Sequence, residues 1–280
     1  MRLIAYTENG RRHIGAVTDG KVAPVAPLDE FYADAAAALR TEPGPPALLL
    51  ADLEQVPPVP ETARVFCVGI NYHSHAGESK TLAGLDVPRV PMVFGRWAST
   101  LVTGGTPVPV PPNEPGLDWE VELAAVIGTR AWNVSPQDAS AHVLGYTAFN
   151  DLSARRKQLE TAQFTVGKNA DRSGPIGPVL VTADEISPAA LRVRTRVNGE
   201  VMQDGNTRDL IHDVGKIISY ISDTVTLLPG DVIATGTPGG IGAGRDPQVF
   251  LRPGDVVEVE VEGIGTVRNP IVDRSEIEAP

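Results

Sequence analysis

The stretch DWEVELAAVIG (118–128) decides most of what can be inferred about this chain. Side chains of a β-strand alternate between two faces, so Asp118, Glu120 and Glu122 are expected on the same face. Like charges at such positions repel one another unless water or a cation compensates them. Two interpretations follow: a solvated edge strand, or an interior strand whose carboxylates bind a hard divalent cation. The apolar residues that complete the stretch favour the interior strand.

The rest of the chain is also rich in β-strand patterns. Its 280 residues include 28 glycines and 25 prolines, which are unfavourable inside helices and indicate many short strands joined by turns. Residues 1–25 predict a small β meander, and helices are predicted over 28–40 and 209–223. We therefore predict a β-rich α+β fold, either a barrel or a curled sheet. Further strands are predicted at 63–70, 90–94, 119–128, 142–150, 177–182, 191–199, 231–237 and 255–263.

The segment PPVP (57–60) is stiff and extended, which is typical of a boundary between domains. We predict a small N-terminal α/β domain over residues 1–60 and a larger domain over residues 61–280.

Composition excludes several classes of partner. With 24 basic and 35 acidic side chains the formal net charge is −11, which argues against nucleic acid and anionic membrane surfaces. The single cysteine excludes an intrachain disulfide and a thiolate metal cluster. No apolar run approaches the roughly 20 residues of a membrane span, and the polar N-terminal residues predict no signal peptide. We predict a cytoplasmic protein without nucleic-acid or membrane partners.

A third carboxylate stands at the end of another predicted strand. Asp151 follows the apolar run HVLGYTAFN (142–150), where it can complete a three-carboxylate site with Glu120 and Glu122. It can equally cap a helix that begins near Ser153. The residues alone leave both roles open.

Three more segments have catalytic or binding potential. His75 and Glu78 are three residues apart, so one helical turn brings them into contact as a carboxylate-supported general base. A histidine near a loop is nonetheless more often a polar surface residue. Lys168 lies between a glycine and a Gly/Pro-rich loop, where it could reach an anionic ligand or simply be solvated. The loop ATGTPGGIG (234–242) offers backbone N–H groups and a hydroxyl to an anion, although it lacks the GK[ST] end of a P-loop.

The order of these motifs carries a family resemblance. The chain contains, in sequence, N-Y-x-x-H-A-x-x-E, D-W-E-x-E-L-A-x-V-I-G, N-D-x-S-A-R-x-x-Q, G-K-x-x-D-x-x-x-P-x-G-P, N-G-E-x-x-Q-x-x-x-T and G-D-V-I-A-T-G-T-P-x-G-x-G. This set, over about residues 63–270, resembles the fumarylacetoacetate hydrolase family. The resemblance implies a catalytic domain built on a rolled mixed β-sheet, preceded by a smaller N-terminal domain, and usually a homodimer.

The resemblance also implies roles for individual residues. The metal ligands for Mg²⁺, or alternatively Mn²⁺ or Ca²⁺, would be Glu120, Glu122 and Asp151, with Asp118 in support. The catalytic residues would be His75, Glu78 and Lys168. The substrate-binding residues would be Arg155, Gln158, Gly236 and Thr237.

The activity implied by the resemblance is hydrolysis of a C–C bond in an acylpyruvate-type 2,4-dioxo acid, through an enolate stabilised by the metal, in the breakdown of aromatic compounds. An oxaloacetate decarboxylase or a 2-hydroxy-diene-dioate isomerase on the same scaffold is the alternative, since all three reactions share that enolate. The expected substrate is in each case a small 2-oxo acid. Two positions depart from the family pattern: Arg96 stands where many relatives carry Lys, and Ala170 stands where an aromatic is common. We expect Ala170 to reshape the substrate pocket.

Overall fold

The structure, a computed structural model, describes residues 1–41, 43–84 and 86–277, with the backbone alone described at 76, 79 and 81–83. The first part of the chain contains β1 (Arg2–Glu8), β2 (Arg11–Thr18), β3 (Lys21–Pro27), α1 (Leu28–Ala33), α2 (Ala35–Arg40), β4 (Leu48–Leu49) and β5 (Glu54–Val56). The middle part contains β6 (Arg64–Gly69), α3 (His73–Ala83), β7 (Met92–Trp97), β8 (Leu101–Val102), β9 (Val108–Pro109), β10 (Val121–Ile127), β11 (Val143–Asn150), α4 (Arg155–Leu159), α5 (Thr165–Lys168) and β12 (Gly174–Thr182). The last part contains β13 (Arg192–Val197), β14 (Glu200–Asn206), α6 (Val214–Thr224), β15 (Val232–Ala234), β16 (Val256–Val261) and β17 (Gly265–Val272).

The strands form two mixed sheets. The larger sheet has twelve strands in the order β4-β3-β2-β1-β12-β11-β10-β15-β6-β7, with β5 beside β1 and β8 beside β12. The smaller sheet has five strands in the order β14-β13-β16-β17-β9. Neighbours are mostly antiparallel, whereas β15–β6, β12–β8 and β17–β9 are parallel. The predicted β-rich α+β fold with a mixed sheet is confirmed.

Strand β10 lies in the middle of the larger sheet, between β11 and β15, and every one of its residues is buried. Its two faces belong to two different hydrophobic cores. One core, shared with α6 and the smaller sheet, takes Val121, Leu123, Ala125 and Ile127, and the other, shared with the N-terminal strands and α1, takes Ala124 and Val126. The solvated-edge interpretation of this stretch is therefore wrong. The carboxylates on it must be compensated inside the protein.

The N-terminal strands continue the larger sheet. Strand β1 pairs with β12, with Leu3 opposite Leu180, so the sheet crosses the predicted boundary near residue 60. The Tyr32 hydroxyl of α1 donates a 2.6 Å hydrogen bond to the carbonyl oxygen of Pro58, which ties the boundary segment to the N-terminal part. The division into domains at residues 1–60 and 61–280 stays a prediction.

Two predicted helices begin or break at capping aspartates. The helix predicted over 28–40 is divided into α1 and α2 at Asp34, whose backbone is non-helical and whose carboxylate accepts a 2.9 Å bond from the N–H of Ala37. The helix predicted from 209 begins at Val214, because the Asp213 side chain accepts from the N–H of Lys216 at 2.8 Å. An aspartate side chain that caps the free N–H groups at the start of a helix favours a helix beginning at that point over one that continues through the aspartate. In the described parts of the chain, no helix combines the length and the apolar character needed to cross a bilayer.

Replacement of Leu180 tests whether the two parts of the chain share a core. Leu180 is fully buried in the same cluster as Leu3 and Phe31. We expect Leu180→Ala to lower the free energy of unfolding by about 2–5 kcal/mol through loss of contacts and cavity formation. Urea unfolding of the wild type and of the variant, followed by tryptophan fluorescence and by circular dichroism, should give a single transition at which the two probes coincide. Leu49→Ala, at a position 53% exposed, is the control and should be near neutral; separate transitions for the two probes would contradict a shared core.

Candidate active site

One cavity of about 590 Å³, which includes its opening to solvent, brings most of the predicted site residues together. It lies where β6, β10 and β11 meet helices α3, α4 and α5. Glu78 and Gly236 lie outside its lining, the first bonded to His75 and the second to Glu122. The predicted residues in the lining are His75, Glu120, Glu122, Asp151, Arg155, Gln158, Lys168 and Thr237.

Three buried carboxylates form the centre of the site. Glu120 and Glu122 are two residues apart on the same face of the strand, as the sequence predicts. The backbone N–H of Asp151, at the end of the neighbouring strand, donates a 2.9 Å bond to the carbonyl oxygen of Glu120. One oxygen from each of the three side chains lies within 4.8 Å of the others. Asp151 is not a helix cap, since α4 begins at Arg155 after Ala154, so that alternative is wrong.

Cationic side chains compensate part of this charge. Lys168 Nζ donates to Glu120 Oε2 at 2.8 Å and to Asp151 Oδ2 at 2.6 Å. Arg155 pairs with Glu120, and Arg96 pairs with Asp151. These ion pairs are all deeply buried. Burial opposes ionisation of Glu120, but Lys168 and Arg155 outweigh it and lower the pKa of this carboxyl.

Glu122 is in the opposite situation. It accepts a 2.8 Å bond from the backbone N–H of Gly236, and none of the described cations forms an ion pair with it. Burial, reinforced by the neighbouring Asp151 and Glu120, raises the pKa of Glu122 well above its usual range. Asp118, which pairs with Arg155, brings the number of buried carboxylates in the site to four. They lie beside three buried cations, Arg96, Arg155 and Lys168. Glu122 is the carboxylate that has none of these cations as a partner.

The donor set therefore fits a divalent cation. Its oxygens are hard ligands, one oxygen of each side chain lies within 4.8 Å of the others, and one of the three carboxyl groups, Glu122, has no cationic partner among the described residues. Glu120, Glu122 and Asp151 could hold the ion.

The His75–Glu78 pair lies on the first turn and a half of α3. His75 Nδ1 is 2.9 Å from Glu78 Oε2, as expected for residues three apart on a helix. This bond leaves Nε2 as the ring nitrogen that can exchange a proton with a ligand in the cavity. The start of α3 is held by Asn71, whose amide nitrogen donates to the carbonyl oxygens of His212 and Thr235 at 2.9 and 2.7 Å.

The remaining wall contains few groups that can bind a polar ligand. The Thr237 hydroxyl accepts a 2.9 Å bond from Gln203 Nε2, so its own hydrogen can point into the cavity. Gln158 accepts from Arg155 through its oxygen at 2.8 Å, which leaves its amide N–H groups to donate. The apolar lining residues are Val68, Ile70, Met92, Phe94, Leu159, Phe164 and Ile241.

The sequence predicted Asp118 as a support of the site, but it did not predict the role of Arg96, and it misplaced one residue. Arg96 is fully buried behind Asp151 and also donates to Ser173 Oγ at 2.6 Å. Its signal in the sequence was an arginine inside an otherwise apolar strand. Ala170 lines a separate surface groove beside Pro109 and Arg274 and not the cavity, so the expectation that it reshapes the substrate pocket is wrong.

Comparison with known proteins defines the class. The sequence pattern of the family described as "Fumarylacetoacetate (FAA) hydrolase C-terminal" matches residues 64–272. The protein belongs to this family and is an enzyme of the fumarylacetoacetate hydrolase superfamily.

Particular relatives carry narrower descriptions. A human mitochondrial oxaloacetate tautomerase is 41% identical over 81% of this chain and 72% of its own length. An oxaloacetate tautomerase of Bacillus subtilis is 42% identical over 79% of this chain and 74% of its own length. The predicted cytoplasmic location stays a prediction, since the human relative is named as mitochondrial.

Solved structures share the whole architecture. A fumarylacetoacetate hydrolase from Exiguobacterium antarcticum matches with a TM-score of 0.81 and 35% identity over 98% of this chain and 100% of that one. A 2-hydroxyhepta-2,4-diene-1,7-dioate isomerase from Mycobacterium marinum matches with a TM-score of 0.78 and 33% identity over 98% and 99%.

The charge at Glu122 makes a prediction about stability without metal. Folding raises the pKa of Glu122, so the folded protein binds a proton at this carboxyl group more tightly than the unfolded chain does. The stabilisation that this proton provides is complete below the unfolded pKa of 4.5 and is lost as the pH rises through the folded pKa. In EDTA, we therefore expect Glu122→Gln to be more stable than wild type at about pH 8, with a smaller advantage at about pH 5. Mn²⁺ or Mg²⁺ should raise the melting temperature of the wild type and not that of the variant.

Differential scanning calorimetry at both pH values checks this expectation. Glu61→Gln, at a side chain 88% exposed, is the matched control for loss of a carboxylate. A difference between wild type and Glu122→Gln that stays equal at both pH values would contradict the assignment.

Proposed function

We propose that this enzyme catalyses a divalent-cation-dependent proton transfer on a small 2-oxo acid: keto–enol tautomerisation, or double-bond isomerisation, of a 2-oxo diacid such as oxaloacetate. The observation that carries the proposal is the pairing of His75 with Glu78 at 2.9 Å beside the carboxylates Glu120, Glu122 and Asp151. A base and a cation site in one cavity are the two components that enolisation requires. The names of the relatives support it, since they describe tautomerases and a diene-dioate isomerase.

The residues of the chain have separate roles in this reaction. When bound, a divalent cation supplies Lewis acidity at the keto oxygen and makes the neighbouring C–H more acidic. His75 Nε2 accepts the proton from that carbon, and Glu78 stabilises the imidazolium. Gln158 and Thr237 donate hydrogen bonds to substrate oxygens. The imidazolium then returns the proton to the enolate oxygen in tautomerisation, or to another carbon of the substrate in double-bond isomerisation. Neither reaction breaks a C–C bond or consumes water.

Lys168 contributes a positive charge beside the developing enolate. Burial disfavours its charged form, but Asp151 and Glu120 outweigh burial and raise the pKa of Lys168. The side chain therefore stays protonated and acts as a fixed electrostatic stabiliser.

C–C hydrolysis of an acylpyruvate is the second candidate, favoured by the match to the Exiguobacterium hydrolase. On this path His75 would deprotonate a water molecule instead of the substrate. We propose Mg²⁺ or Mn²⁺ as the cation in either case, since both suit an all-carboxylate donor set.

A substrate panel separates the candidates. Oxaloacetate, a 2-hydroxy-diene diacid and acetylpyruvate should be tested with Mg²⁺ or Mn²⁺ and with an EDTA control. EDTA-sensitive enol–keto exchange of oxaloacetate, or isomerisation of the diene, is the expected result. Cleavage of acetylpyruvate alone would favour the hydrolase, and release of CO₂ from oxaloacetate would indicate a decarboxylase.

Replacement of His75 tests the assigned base. We expect His75→Ala to lower kcat by about 10²–10⁴-fold, the usual contribution of a positioned general base, without a change in metal affinity measured by calorimetry. His142→Ala, whose ring lies near Thr129 and away from the cavity, is the control. Wild-type turnover in His75→Ala would rule out this histidine.

We also propose a homodimer. Trp97 at the end of the outermost strand β7 and Val166 on α5 are 56% and 60% exposed, and these two elements are joined by a 2.7 Å bond from the Trp97 N–H to Asn169. Large apolar side chains left exposed together are typical of an interface. Analytical ultracentrifugation should give twice the 29.6 kDa of the chain. Trp97→Glu should weaken the dimer, whereas Leu49→Glu, at a 53% exposed position on β4 at the opposite end of the larger sheet, should not. A monomeric wild type would overturn the proposal.

A further inference from the structure

The backbone N–H groups of the glycine loop (residues 236–245) donate hydrogen bonds to side chains of the same chain. At its start, the Gly236 N–H donates to Glu122, one of the three clustered carboxylates. Further along the loop, Gly240 N–H donates to Glu78 Oε1 at 2.7 Å, and Gly239 N–H donates to Ser74 Oγ at 3.1 Å. Two more donors converge on Asp118, from Gly242 at 2.6 Å and from Ala243 at 3.0 Å.

The loop thus connects the carboxylate cluster with the His75–Glu78 pair. Asp118 holds the Nε of Arg155 at 2.8 Å, and Arg155 in turn pairs with Glu120. The same loop reaches the base through Glu78. Any shift of the loop would change the position of the His75–Glu78 pair relative to the metal ligands.

Glu78 is enclosed on both sides of its carboxylate. Oε2 bonds to His75, and Oε1 accepts from the Gly240 N–H. A Cβ atom on Gly244 would lie 2.8 Å from Cγ, Cδ and Oε1 of Glu78, closer than real Cβ contacts allow. The backbone of Gly244 is not in the left-handed region, so alanine is compatible with its conformation, and the three nearest atoms that its Cβ would meet all belong to Glu78.

Gly240 is itself held rigidly. Its carbonyl oxygen accepts a 3.1 Å bond from the indole N–H of Trp119, and its φ of +100° favours glycine. A Cβ there would lie 2.5 Å from the carbonyl oxygen of Met202. The donor that binds Glu78 is therefore fixed in place before any ligand binds.

We propose that Gly244 and the Gly240 N–H are positioning groups for the base: together they fix the Glu78 carboxylate and, through it, the orientation of the His75 ring. The proposal rests on the proposed function, in which His75 is the base. The missing side chain at Gly244 leaves the space that Glu78 occupies, and the Gly240 N–H selects which carboxylate oxygen remains for His75.

Gly244→Ala tests the proposal. A displacement of a catalytic group by about 1 Å can cost about 10²-fold in rate, so we expect kcat to fall by about 10–100-fold. KM and metal affinity should stay within about two-fold of wild type, because the contact with Glu78 leaves the carboxylate cluster untouched. Gly44→Ala, at an exposed glycine with open space around its Cα, is the matched control. Thermal melting should show that both variants remain folded.

A double-mutant cycle with Glu78→Ala separates positioning from a general structural effect. If Gly244 acts through Glu78, then Gly244→Ala should cause no further loss of kcat in the Glu78→Ala background. Suppose that Glu78→Ala is itself defective and that Gly244→Ala lowers kcat by the same factor in the wild type and in Glu78→Ala. This result would overturn the positioning role and leave the proposed function intact. Full turnover in Glu78→Ala would overturn both, because Glu78 would then support no base.

Discussion

The structure depends on the burial of like charges on a strand that has no solvent-exposed face. Glu120 and Glu122 belong to a stretch whose apolar residues pack into two cores, and they are only 5% and 2% exposed, so water screens their charges weakly. Isolated buried carboxylates would be strongly destabilising, and the protein compensates them with Lys168, Arg155 and Arg96. The compensation is incomplete at Glu122, so an added cation could complete it.

The supports of the carboxylates come from distant parts of the chain. Asp151 follows the neighbouring strand β11, Lys168 ends a one-turn helix, and Arg96 comes from the outermost strand β7. The sheet order brings them together because β10 lies beside β11 on one side and leads through β15 and β6 to β7 on the other. Such a network holds its members in one geometry, since each charge depends on the others for its compensation.

This arrangement also suits a family with several reactions. In the proposed function, a bound cation and the positioned histidine would activate a 2-oxo acid at the carbon next to its keto group. Whether proton return, loss of CO₂ or attack by water follows would then depend on the ligand and on the rest of the cavity wall, which is mostly apolar and includes Phe94 and Phe164. The same fold occurs in solved structures described as an isomerase and a hydrolase, and the sequence is similar to that of a relative described as a tautomerase.

Local rules were sufficient for much of this protein. The two-residue period of a strand placed Glu120 and Glu122 on one face, the three-residue spacing in a helix placed His75 against Glu78, and the ordered motifs identified the family. Tertiary structure alone decided which alternatives applied: that the acidic strand is central, that Asp151 accepts from Lys168 and does not cap a helix, and that Ala170 lies away from the cavity. It also decided the use of the glycine loop, whose N–H groups bind Glu78, Asp118 and Glu122 of the same chain. The physical reason is that periodicity and spacing act over a few residues, whereas burial and charge compensation depend on segments that meet only when the sheet is assembled.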